Sequence, residues 1–153
     1  MYYVENIDRE TYIKVLNFLG KACNSFSLVE PIADSIGFPK DLPEIKQNLT
    51  AYLREAKRVT SWAGTKIKVR GEREKAIEHV YRCCKNSVNM LTVYDSFFDI
   101  DGQIDIAFFK DDKCALFTTS HEMILMIDKN FWGDFFDNTD CRLRKAENFK
   151  LII

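Results

Sequence analysis

Histidine is scarce in this chain: 153 residues contain two, alongside three prolines and six glycines. That shortage limits metal chemistry. The zinc-protease helix needs a second histidine one turn after a His-Glu pair, so that both imidazoles face one ion. After His121-Glu122 that position is occupied by Leu125. The five cysteines are odd in number and form no Cys-x-x-Cys pair, which argues against both a thiolate zinc site and a disulfide framework. No metal set and no cofactor motif is expected: the glycine patterns that cradle phosphates or dinucleotides, and the Gly-x-Ser-x-Gly nucleophile turn, are missing.

Long apolar runs are lacking too, and none approaches the roughly 18–20 residues that span a bilayer. The sequence starts without a basic-then-apolar leader, so free thiols in a reducing cytoplasm are the expectation and no membrane partner is. Charge of either sign is not in surplus, with 22 basic and 23 acidic side chains giving a net charge of −1. Nucleic-acid binders draw most of their affinity from a basic surplus, so this balance argues against such a partner. A local basic group (Arg54, Lys57, Arg58, Lys66, Lys68, Arg70 and Arg73) is read as solvated surface. With no linker, repeat or low-complexity stretch, residues 1–153 are expected to form one domain.

Aromatic residues are plentiful: twelve Phe, six Tyr and two Trp make up 13% of the chain. They promise a dense core and leave open an aromatic contact surface. Tyr2–Glu5 is β-prone. Asp8 can cap a helix whose apolar stripe is Tyr12, Val15, Leu16, Leu19 and Cys23. Alternation over residues 25–30 predicts a strand. Asp41, Pro43 and Glu44 signal a second helix, with Ile45, Leu49, Tyr52 and Leu53 on its buried side. Short strands are predicted at Arg58–Trp62 and Thr65–Val69. The spacing of Ala76, Ile77, Val80, Tyr81, Cys84, Val88 and Leu91 predicts a long third helix to about Val93, with His79 on its solvated side. Three consecutive antiparallel strands are expected at Gln103–Phe109, Lys113–Thr119 and Glu122–Asp128, turning at Asp101-Gly102, at Asp111-Asp112 and near His121. Asn130–Asn138 reads as an aromatic helix or turn, and Phe149–Ile153 as a closing edge strand. The order predicts an α+β fold: a single domain with a largely antiparallel sheet packed against three main helices.

The polar cluster Thr118-Thr119-Ser120-His121-Glu122 is the first candidate for chemistry. His121 titrates near neutral pH and could form an acid–base pair with Glu122 or Asp105 if folding joins them. It could also activate Cys114 or Cys141 as a nucleophile. The structural alternative is a histidine at a hairpin end bonded to a backbone carbonyl. Trp62, before Ala63-Gly64, either packs a loop onto the core or stands out as a binding anchor. Phe131, Trp132, Phe135 and Phe136 cover too broad an arc for one buried helical stripe, which would leave some of them exposed for a partner.

Several segments together resemble a family of small, largely uncharacterised proteins of the Firmicutes. The carriers are Phe26-Ser27-Leu28-Val29, Trp62-Ala63-Gly64-Thr65, the strand Ile104–Lys110 and Ser120-His121-Glu122. The Pro-Glu pair that the family carries in that strand is absent here, which makes the chain a divergent relative. The resemblance implies a shared fold and no established activity.

The expected function is therefore a non-enzymatic protein-binding module, most naturally an immunity-type protein that neutralises a bacterial toxin or defence factor. Its acidic stretch 95–112 would meet a basic partner. Trp62, Asp99, Asp101, Asp105, Trp132 and Phe135 are the predicted binding residues. The alternative is a small hydrolase or nucleotide-processing enzyme using His121, Glu122 and Asp105.

Overall fold

The computed structural model describes residues 1–31, 43–64, 76–100 and 104–147. Among these residues eight strands form one sheet: β1 (Tyr2–Glu5), β2 (Ser25–Pro31), β3 (Leu53–Val59), β4 (Ala76–Arg82), β5 (Asp105–Lys110), β6 (Lys113–Thr119), β7 (Ile124–Ile127) and β8 (Arg142–Lys145). Their order across the sheet is β3-β4-β2-β5-β6-β7-β1-β8, and every pairing is antiparallel. Among the described residues four helices accompany it: α1 (Arg9–Ala22), α2 (Pro43–Asn48), α3 (Lys85–Asn89) and α4 (Lys129–Trp132). The architecture is α+β, as the sequence predicts. Among the described residues, no helix is long and apolar enough to cross a membrane.

Helix α1 is set by local chemistry. The Asp8 carboxylate accepts from Thr11 N at 2.8 Å, satisfying one of the orphan amides of the first turn. Tyr12, Val15, Leu16 and Leu19 are fully buried, and the Tyr12 hydroxyl donates to Leu91 O at 2.6 Å. Gly20 sits mid-helix for a packing reason. A Cβ there would lie 2.7 Å from Val88 Cγ2, so its absence lets α1 approach α3 closely.

The sheet face under the helices carries Phe26 and Leu28 of β2, Ile106 and Phe108 of β5, Leu116 of β6 and Leu125 and Ile127 of β7. These belong to the main core. The opposite face holds a smaller cluster of Ala107, Cys114, Phe117 and Met126, with Ala63 laid on top. The β5–β6 hairpin turns through Asp111 and Asp112, at φ of 49° and 56°. That doubly left-handed turn matches strand twist, and aspartate tolerates it better than most residues.

The third helix is the main departure from expectation. Residues 76–82 are the strand β4, paired with β2 and β3; the chain then forms the short α3 and a 3-10 turn, Met90–Val93. In β4, Ala76 and Val80 lie on one face while Ile77 and Tyr81 lie on the other, so apolar residues occur on both faces of the strand. Those positions also fit a helical period, and only pairing decides between them. Ser87 marks the corner: its Oγ donates to Arg82 O at 2.8 Å and accepts from Cys84 N at 2.9 Å.

Smaller corrections have similar causes. Helix α2 ends at Asn48, and Leu53 opens β3 instead of extending the helical stripe. The strand expected at 58–62 is β3, displaced toward the N-terminus. The segment 120–122 is a 3-10 turn and β7 starts only at Ile124. The edge beside β1 is taken by β8, which the sequence had not signalled. The predicted strand 65–69, the turn at Asp101-Gly102, the closing strand 149–153 and the basic residues Lys66, Lys68, Arg70 and Arg73 lie outside the described residues.

Candidate functional site

Folding joins four of the residues singled out in the sequence. Asp105 opens β5, Ser120 and His121 follow β6, and Trp62 arrives from the loop after β3. The Trp62 indole Nε1 donates to Asp105 Oδ2 at 2.8 Å, and Ser120 N donates to Asp105 Oδ1 at 2.8 Å. The Ser120 hydroxyl donates to Ile104 O at 2.6 Å, and Thr118 Oγ1 accepts from Ile106 N at 3.0 Å. Burial raises the Asp105 pKa, while the Ser120 and Trp62 hydrogen bonds and the nearby His121 charge oppose that rise.

Both Asp105 oxygens are thus occupied by donors from the protein itself. The carboxylate ties the loop 61–64 and the β6–β7 turn to the sheet, each oxygen already accepting one hydrogen bond from the protein. His121 Nε2 lies 3.7 Å from Glu122 Oε1, with both side chains about half exposed, at 46% and 50%. A pair so loosely placed in water is weakly coupled.

The pairing of His121 with Cys114 is not assembled. Cys114 sits near the start of β6, whereas His121 follows its end. Burial pushes the Cys114 thiol up to about 12, which suppresses the thiolate. Burial likewise raises the Cys141 pKa.

Trp62-Ala63-Gly64 is a packed loop. Gly64 has φ of 92°, and a Cβ there would meet the Phe117 ring at 2.6 Å, so only glycine lets the loop lie this close to the sheet. Trp62 remains half-buried, held through Asp105. The aromatic segment is also core. Trp132 is 3% exposed, its indole Nε1 donates to Ala115 O at 2.8 Å, and its ring lies 4.8 Å from Phe18. The arc that suggested exposure assumed one helix. Gly133, at φ 56°, ends α4, and Phe135 and Phe136 return over Trp132 from a separate turn. Trp132 therefore cannot serve as a surface anchor. Phe135 stays half-buried against Phe18 at 5.1 Å.

Of the predicted acidic residues, Asp99 is exposed, whereas Asp101 lies outside the described residues. Asp99 belongs to a turn that is firmly anchored. Phe97 and Ile100 are buried, and Ser96 Oγ donates to Asp99 Oδ2 at 2.7 Å. Arg9 donates to Thr92 O at 2.7 Å and to Tyr94 O, and its guanidinium lies 3.8 Å from Asp95. Between these contacts Val93 projects at 72% exposure. Asp8 and Glu10 at the start of α1 are exposed, as is Asp140, and the charges of Asp8 and Asp140 both reach Cys141. Carboxylates from three separate segments thus gather around the N-terminal end of α1, beside one exposed apolar side chain.

A second polar cluster went unseen in the sequence. His79, expected on a solvated helical face, is 3% exposed within β4, and its Nε2 lies 2.6 Å from Glu30 Oε2 on β2. Lys46 of α2 reaches the same oxygen at 3.6 Å. Tyr81, two residues along the same face, is 1% exposed; burial and then the Glu30 charge push its hydroxyl up to about 12, so it stays protonated. The only signal for this cluster was the period-two alternation of Ile77, His79 and Tyr81, masked by the competing helical spacing.

Comparison of the chain with protein-family models, with curated proteins and with solved structures found no significant match.

Proposed function

We propose that this protein is a non-enzymatic, cytoplasmic protein-binding module of the immunity type, which neutralises a basic bacterial toxin or defence factor by covering part of its surface. The observation that carries this reading is the patch at the N-terminal end of α1. Val93 stands exposed on a turn pinned by Arg9, which also faces Asp95, at the end of α1 that carries the exposed Asp8 and the Lys14-paired Glu10. An apolar side chain within a charged rim has the layout of a contact that excludes water at its centre and steers its partner from the edge. Preorganisation helps as well, because a turn already held by Arg9 and by buried Phe97 loses little entropy on docking.

The alternative, a small hydrolase or nucleotide-processing enzyme using His121, has less behind it. Its supporting carboxylate, Asp105, is committed to Trp62 and Ser120, and the His121–Glu122 pair is loose and solvated.

Pull-down from the native host at low salt tests the proposal. One stoichiometric, basic partner is expected on the wild-type protein, released by salt. It should be lost on an Asp95→Lys/Asp99→Lys variant that keeps the wild-type melting temperature. Recovery of no partner from hosts carrying the neighbouring genes, or undiminished capture by the charge-reversed variant, would overturn it.

A further inference from the structure

The C-terminal end of α1 meets the start of α3 at a cavity of about 300 Å³, lined among the described residues by Asn17, Lys21, Lys85 and Val88. Asn17 and Lys21 are one turn apart and share a face of α1, as Lys85 and Val88 share a face of α3. Val88 is buried and belongs to the main core, so the cavity has an apolar floor, while the three polar side chains are exposed.

Gly20 brings the two lysines to one place. A Cβ on Gly20 would stand 2.7 Å from Val88 Cγ2 and 3.5 Å from Lys85 Cα, so the backbone next to Lys21 runs directly against Lys85. Among the described residues neither Lys21 nor Lys85 forms an ion pair with a carboxylate, whereas Lys14, Lys46 and Lys57 each do. The first turn of α3 carries no acidic residue. Lys21 has a local reason for its position, since a cation complements the carbonyl end of a helix. Lys85 has none, and it sets a second positive charge at the same cavity. Two like charges held there without a counter-charge repel one another, and an anion between them removes that cost.

We propose that this cavity binds a small organic phosphate, a phosphomonoester whose apolar body rests on Val88. Two ammonium groups match the charge of a dianion. Each offers three donors on a freely turning head and the Asn17 amide adds two more, which suits tetrahedral phosphate oxygens. A flat carboxylate is matched best by the fork of an arginine, and among the described residues no arginine lines the cavity. The apolar floor selects an ester over inorganic phosphate. At about 300 Å³ the space lies at the lower end of ligand pockets, which limits the ester to a small one. Helix α1 thus carries acidic groups at its first turn and a cationic cavity at its last. The site stands apart from the Val93 patch and does not rest on the protein-binding reading.

Titration with phenyl phosphate, followed by NMR of the backbone amides and the valine methyl groups, tests this. Inorganic phosphate, succinate and phenol are the controls. Saturable shifts are expected at Asn17, Lys21, Lys85 and the Val88 methyls. Phenyl phosphate should bind about tenfold tighter than inorganic phosphate or succinate, and phenol should not saturate. Lys21→Gln and Lys85→Gln should each weaken phenyl phosphate about tenfold, the value of one charge-assisted hydrogen bond. Both side chains are exposed, so these variants keep the fold; Lys113→Gln, also exposed but outside the cavity, controls for lost positive charge and should leave binding unchanged. The proposal is overturned by the absence of saturable shifts at Val88, or by shifts spread evenly over the surface lysines. It is equally overturned if the Lys21 and Lys85 variants bind no more weakly than Lys113→Gln, or if inorganic phosphate, succinate or phenol binds as tightly as phenyl phosphate.

Discussion

Asp105→Asn probes the central claim about the first candidate site, that its carboxylate is a strut. In the folded protein one oxygen takes the Ser120 amide and the other takes the Trp62 indole, each at 2.8 Å. Asparagine keeps one acceptor and turns an NH2 group toward the remaining donor. One charge-assisted hydrogen bond is lost, worth about 1.5–3 kcal/mol, and a donor is left facing a donor. Against this stands relief from burying a charge, the same burial that raises the Asp105 pKa. The net expectation is a loss of about 1–3 kcal/mol at neutral pH, read from urea unfolding followed by circular dichroism. The loss also depends on pH. A carboxyl whose pKa is raised on folding binds its proton more tightly in the native state, so its contribution to stability grows as pH falls through the folded value. The gap between wild type and variant should therefore widen from pH 7 toward about pH 4, near the ordinary carboxylate value. Paired with Trp62→Phe, the double variant should lose less than the sum of the single losses, by about 1 kcal/mol. A variant within about 0.5 kcal/mol of wild type, or strictly additive losses, would refute the strut.

Further outcomes follow from the packing. Gly20→Ala should destabilise by about 1–3 kcal/mol despite alanine's helix preference, because the new methyl meets Val88 Cγ2 at 2.7 Å; adding Val88→Ala should recover part of the loss in the same unfolding assay. Trp132→Ala should cost about 3–5 kcal/mol, since it empties a buried ring and removes one of the two donors to the Ala115 carbonyl, the other being Asp128 N; a loss under 1 kcal/mol would return Trp132 to the surface. Cys114 should stay unmodified by iodoacetamide at neutral pH in the folded protein and react once urea unfolds it, because its thiol is buried and pushed up to about 12.

How much of the protein is legible in the sequence depends on how local each feature is. Helix α1 declares itself through Asp8 and its apolar stripe, since capping and amphipathicity are both written within a few turns. The same holds for the β5–β6 hairpin, whose turn and alternating strands are adjacent in the chain. The aromatic segment 131–136 was harder. Its composition announced packing, but the break at Gly133 decides which rings go inside, and glycine there is compatible with either course. At the candidate site the residue types were visible and their roles were not. Asp105 read as a possible base because its two donors come from Trp62, 43 positions away, and from the amide of Ser120, 15 away.

The sequence by itself determined the class of the fold, the first helix, the antiparallel run β5–β6–β7 and the identity of Trp62, Asp105 and Ser120-His121-Glu122 as a distinctive set. Tertiary structure alone decided that residues 76–82 form a strand, because a strand with apolar residues on both faces carries no unambiguous period of its own. It also decided that His79 meets Glu30, a contact 49 residues apart that exists only in the β2–β4 register. Burial turned Asp105 from a candidate base into a clasp and turned His79 from a presumed surface residue into the buried partner of Glu30. Both changes have one cause: a polar side chain's role depends on which partners surround it once water is removed, and strand pairing selects those partners.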